Sequence, residues 1–205
     1  MKLYSPPRLW VSWVANAPIS IGIPAKAPAW FPVLALAAAT QWSVALGKRL
    51  TFVLSKGTGV AGTAPSGNVC IVLDDKNQFC ASYNYAMTSF SDIQEPVGIP
   101  PVETWRIGGA QVALNVKDFP ELLVKQNLLT SVLLHEFGHV CDLDDENNPL
   151  SVENLVQEPF TDLQEDDREG AAAVAKLYPP KPHDTTVIVK PKPRPTPPGL
   201  PGRRA

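Results

Sequence analysis

His135 and His139 lie four residues apart, with Glu136 directly after the first, in the stretch running from Leu128 to Asp145. An apolar run precedes them, so the spacing predicts a helix. On a helix, positions i and i+4 share one face, and two imidazoles presented that way can ligate one metal ion. Glu136, turned toward the edge of that face, can hold a water against the ion and take its proton. This is the helical pattern of zinc hydrolases. Two histidines leave a tetrahedral ion short of a protein ligand, and Asp145, six residues after His139, is the candidate third. That separation exceeds one helical face, so the chain must turn back between them. Asp142 stands at the turn, where a left-handed conformation favours Gly but Asp tolerates it better than most residues. Asp144 is the competing carboxylate. The bland alternative is a pair of structural histidines beside two solvated aspartates.

The elements that must position these groups can be read in order. Residues 1–17 read as an irregular lead-in. Pro18 to Pro24 alternates as a first strand. Ala29 to Gly47 has helical periodicity, with Pro32 in its first turn. Leu50 to Leu54 is a second strand, and the Gly-rich stretch Gly57 to Gly67 lacks a phosphate-loop pattern and reads as a surface loop. Asn68–Leu73 and Gln78–Tyr85 read as neighbouring strands across a turn at Asp74 to Asn77. Ser89 to Glu103 reads as a Pro-containing loop, and Ile107 to Asn115 as a further strand. Phe119 to Gln126 leads into the histidine helix, with Asn127 as candidate cap. Asn147 to Thr161 reads as a loop. Asp166 to Leu177 reads as a final helix, with acidic residues in its first turn that suit the helix dipole.

Composition sets outer bounds. A hydrophobic content of 44% over 205 residues supports one core of ordinary size. The formal net charge of −2 argues against a nucleic-acid partner. From Pro179 on the chain becomes basic and Pro-rich, a composition that samples polyproline II and builds no core. The expected organisation is a folded domain over 1–178 and a disordered or semi-rigid tail over 179–205. The tail reads as a linker or frayed end, or alternatively as a ligand for a Pro-binding partner or an acidic surface. No apolar run has the length of a membrane span, and no signal peptide is visible. Cys70 and Cys80 flank the expected hairpin and read either as a disulfide or, with Cys141, as three buried thiols.

Taken together, these segments resemble a matrixin-type metzincin, from about Trp10 to Tyr178. The H-E-x-x-H-x-x-D-x-x-D stretch is similar to H-E-x-x-H-x-x-G-x-x-H, with Asp142 and Asp145 replacing the Gly and the third His. The resemblance also rests on A-x-x-x-W-S (Ala38 to Ser43), L-x-F (Leu50 to Phe52), the strand ending Leu114-Asn115, and Leu163, Asp167 and Gly170 before the last helix. It implies an α/β (α+β) fold: a twisted, mostly parallel five-stranded sheet with one antiparallel edge strand and three helices. It further implies that an extended peptide pairs with that edge strand, mapped to about Phe79 to Met87, with Phe79, Ala81 and Tyr83 as substrate-binding positions. Secretion is what the family implies.

The departures are specific. The family carries a Met-turn eight residues beyond the third ligand, and here that position is Glu153, a candidate for the floor of the site. The further histidines of the family's structural zinc site are missing, with only His183 left, in the tail. Calcium occurs in the family, but no acidic loop here has a specific calcium pattern. The implied activity is a zinc-dependent endopeptidase, expected as a monomer acting on protein or peptide substrates, with Zn²⁺ on His135, His139 and Asp145 and Glu136 as general base. The rival reading is a metalloprotease-like module that binds zinc and peptide but turns over poorly because of Glu153.

Overall fold

The computed structural model describes residues 2–3, 8–10, 17–58, 67–91, 94–99, 102–145 and 160–178. In chain order its strands are β1 (Lys2–Leu3), β2 (Arg8–Trp10), β3 (Ile19–Ile23), β4 (Phe52–Thr58), β5 (Asn68–Leu73), β6 (Ala86–Ser91), β7 (Gln94–Ile99), β8 (Val102–Ile107), β9 (Gly109–Leu114) and β10 (Leu143–Asp144). Its helices are α1 (Phe31–Ala45), α2 (Gln126–Val140) and α3 (Glu165–Ala175), with a 3₁₀ turn over Pro120–Leu123.

Five strands form the main sheet in the order β4-β3-β5-β9-β6. The first four run parallel, and β6 closes one edge antiparallel to β9. The central strands are almost wholly apolar, as strands covered on both faces must be. Ile71 and Val112 face the large core, whereas Val72 and Ala113 face a smaller cluster completed by Cys80 and Phe79. Helix α1 presents Phe31, Ala35, Ala38, Ala39 and Trp42 inward. The alanines leave room for the close approach of α2, and the Trp42 indole N–H donates to the Leu134 carbonyl at 2.8 Å. Two smaller sheets flank the main one: β2-β8-β7, and β1 paired antiparallel with β10.

The α/β architecture agrees with the sequence expectation: a mostly parallel five-stranded sheet, one antiparallel edge and three helices. The edge strand itself is Ala86–Ser91, not a strand over 79–87. Residues 78–85 form no strand. The Asp74 carboxylate accepts the backbone N–H groups of Lys76, Gln78, Phe79 and Cys80, curling the chain around itself. The Asn115 amide then donates to the carbonyls of Ala81 and Asn84. With the Phe79 N–H and the Ala81 carbonyl spent in this way, the segment carrying Phe79, Ala81 and Tyr83 curls and forms no strand. Phe79 packs over the second face of the sheet, and Tyr83 is exposed.

Other expectations need similar correction. The stretch 89–103 holds the end of β6 and the β7–β8 hairpin instead of a loop. Pro96 is tolerated because β7 is an edge strand with a register irregularity between Gln94 and Val97. The lead-in contributes β1 and β2, whose partners lie far away in sequence, in β10 and β8. Asn127 lies inside α2. The cap position is Lys125, which makes no side-chain cap bond, and the preceding 3₁₀ turn feeds the helix directly. The three cysteines are buried thiols, and Cys70 and Cys80 form no disulfide. Burial, reinforced by Asp74 and Glu136, pushes the Cys80 thiol up to about 12, and its sulfur donates to the Ala113 carbonyl. Glu153, His183, most of the 147–161 stretch and the tail from 179 lie outside the described residues.

Candidate metal centre

Helix α2 carries both histidines at its buried C-terminal end. Their rings meet edge-on with centroids 4.5 Å apart, and each residue is only 8% exposed. The two Nε2 atoms face each other at 3.1 Å. His139 Nδ1 lies 2.9 Å from the Leu143 carbonyl. A carbonyl only accepts, so Nδ1 carries the proton and the Nε2 lone pair is left for a ligand.

The turn after α2 supplies the rest. Cys141 caps the helix, and Asp142 takes the left-handed conformation expected of it, φ 75°. Its N–H closes back on the His139 carbonyl at 2.9 Å. Leu143 and Asp144 then run as β10 and deliver Asp145 to the histidines. The Asp145 Oδ1 lies 3.6 Å from His135 Nε2 and 3.5 Å from His139 Nε2. Asp144 acts on the backbone instead, its carboxylate accepting the Asp145 N–H at 3.0 Å.

His135, His139 and Asp145 therefore form a group that could hold a metal ion. The edges of the triangle are informative. Donors bound about 2.0–2.1 Å from a tetrahedral ion sit about 3.3 Å apart, and the three separations here are 3.1, 3.5 and 3.6 Å. Two lone pairs aimed at each other at 3.1 Å repel unless a proton or a cation lies between them. The Asp145 side chain is 77% exposed, so the group opens to solvent on that side.

Glu136 is 2% exposed. Burial pushes its carboxyl up to about 7, against the pull of His139 and of a hydrogen bond from Thr88; the Asp145 charge raises it further. The Thr88 Oγ1 donates to Glu136 Oε2 at 2.6 Å and lies 3.3 Å from the Glu136 carbonyl. A second buried carboxylate, Asp142, is pushed up to about 6 by burial, opposed by its contacts with Arg8. The Arg8 N–H donates to Asp142 Oδ2 at 2.9 Å and Nε to Oδ1 at 2.8 Å, and the guanidinium lies 3.9 Å over the Phe90 ring.

Sequence reasoning named the four central residues and missed their supports. Thr88 was legible in principle: Ala86, Thr88 and Phe90 alternate with Met87 and Ser89 along the strand. The Leu143 carbonyl and Arg8 gave no local signal. No protein-family model matches the chain, and no curated protein matches it significantly.

Proposed function

We propose that this protein is a zinc-dependent endopeptidase of metzincin type, cleaving peptide bonds in proteins. The observation that carries the reading is the convergence of His135, His139 and Asp145 beside a buried Glu136. Their mixed nitrogen and oxygen donors suit zinc, and three protein ligands with an open side suit a catalytic site more than a closed structural one. When bound, zinc lowers the pKa of water and polarises a carbonyl oxygen.

The chain's own groups do the remaining work. Glu136 accepts a proton from the attacking water and passes it to the leaving amine, a role suited to a carboxyl whose affinity for protons is raised toward neutrality. Thr88 fixes one Glu136 oxygen, Oε2, so the other, Oε1, is the one assigned to take the proton. Because β6 is the terminal strand of its sheet, its outer edge suits an extended peptide pairing by backbone hydrogen bonds. The edge that does this is Ala86–Ser91, so the substrate-binding positions move from Phe79, Ala81 and Tyr83 to this strand.

A binding module with little turnover is the second reading, favoured by Glu153 at the position where the resemblance puts a methionine. Casein hydrolysis separates the two. An endopeptidase cleaves casein when loaded with zinc, stops with a chelator, and is inactive as Glu136→Ala at equal zinc content. A protein that holds one zinc per chain and cleaves nothing is the binding module.

A further inference from the structure

The turn that delivers Asp145 is gripped from far away in sequence. Asp142 has φ 75°, a left-handed backbone that Asp tolerates better than most residues but that still favours Gly, so contacts that hold it matter. Arg8 holds it with its backbone N–H on one oxygen of the Asp142 carboxylate and its side-chain Nε on the other. That side chain is 1% exposed and the Arg8 side chain 12%, so the pair is largely shielded from water and its geometry matters. The guanidinium also lies on Phe90, a residue of the same strand as Thr88.

The grip continues along the turn. Leu3 pairs with Leu143, whose carbonyl binds His139, and Lys2 pairs with Asp144, which precedes the third ligand. Both the tautomer of one histidine and the position of Asp145 thus depend on contacts made by the N-terminal segment.

We propose that Arg8 is a positioning residue for the metal centre: by clamping the Asp142 turn it makes metal affinity depend on docking of the segment that carries Lys2, Leu3 and Arg8. The proposal rests on the reading of His135, His139 and Asp145 as metal ligands. It requires arginine, because the planar guanidinium can stack on Phe90 while bonding Asp142, and an ammonium group cannot do both. Linkage makes the effect reciprocal: a metal that prefers the clamped turn holds the segment down.

The test is the affinity for zinc alone, measured by competition with a chromophoric chelator, on wild type, Arg8→Ala, Arg8→Lys, Asp142→Asn and the double variant Arg8→Ala/Asp142→Asn. Arg8→Ala is expected to bind about 10- to 100-fold more weakly, as loss of an outer support of a ligand does, with its far-ultraviolet circular dichroism retained. Arg8→Lys should recover only part of that. In the Asp142→Asn background, which removes the charge and one of the two acceptor oxygens, Arg8→Ala should have a clearly smaller effect than in wild type. Arg8→Ala within about twofold of wild type would overturn the proposal and leave the metal reading standing. A wild type that takes up no zinc would sink both.

Should Arg8→Ala fail to fold, amide exchange on the wild type decides. Zinc should slow exchange at Arg8 to Trp10 and at Leu143 to Asp145, and unchanged rates there would overturn the clamp.

Discussion

Glu136 is where this site is under most tension. A carboxyl in a dry pocket resists ionisation, and its value of about 7 records that resistance. The folded value exceeds the unfolded value of about 4.3, so the stability it permits is fully present below about pH 4 and is lost as pH rises through about 7. Metal-free wild type should therefore lose on the order of 2–3 kcal/mol from this group between about pH 4 and 8. Glu136→Gln should remove that loss, as denaturant unfolding of metal-free wild type and variant at both pH values would reveal. Equal pH dependence in the two proteins would mean that Glu136 is not buried as described. Thr88 bears on the same carboxylate. Thr88→Val leaves Glu136 Oε2 without its donor, which should cost about 1–3 kcal/mol in the metal-free protein and, on the proposed endopeptidase reading, lower kcat more than KM. Thr88→Ser should restore both, and an inactive Thr88→Ser would show that β6 tolerates no change there.

At the scale of elements, the site depends on how α2 ends and on how β6 is reached. The last carbonyls of a helix have no partner within it, and the indole of Trp10 donates to one of them, Val140, at 2.8 Å. Trp10→Phe should cost about 1–3 kcal/mol through the orphaned carbonyl, measured as a lowered denaturation midpoint; an unchanged midpoint would mean that water replaces the indole. Upstream of β6, Asp74 organises residues 76–80. Burial raises its pKa, but the N–H groups of Cys80, Gln78, Phe79 and Lys76 together hold the carboxyl below the usual carboxylate range. A lowered folded pKa means stability that is present above about pH 4 and lost as pH falls through the folded value. This carboxylate also explains why the edge strand was misplaced from sequence. Cys80 and Phe79 have the composition of a strand, yet one buried acceptor takes their N–H groups. The helices and central strands were legible because their periodicity is local. The N-terminal strands were not, because β1 and β2 exist only through pairing with Leu143–Asp144 and with β8.

Across the whole molecule, the first described residues and the last close on the same place. The Trp10 N–H donates to the Tyr178 hydroxyl, and Arg8 and Leu3 bind the turn after α2. The site is thus assembled from β6, α2, the turn and the N-terminal segment. A ligand that binds there should stabilise the folded chain as a unit. Zinc at about 100 times its Kd should add about 2.7 kcal/mol and raise Tm, a gain that chelation reverses and that His139→Ala does not show. The candidate ligands were readable from the sequence because an i, i+4 pair on a helix is a local property. Two residues that support them come from distant segments, Arg8 from β2 and Thr88 from β6, while Leu143 lies four residues past His139, in β10 at the end of the turn. The metal centre is tested most directly by the zinc content and X-ray absorption spectrum of the purified protein. One zinc per chain is expected, with two imidazole nitrogens and a carboxylate oxygen about 2.0–2.1 Å away, and that zinc should be lost in His139→Ala. A wild type that retains no zinc, or one whose zinc survives His139→Ala unchanged, would contradict the assignment of His135, His139 and Asp145 as its ligands.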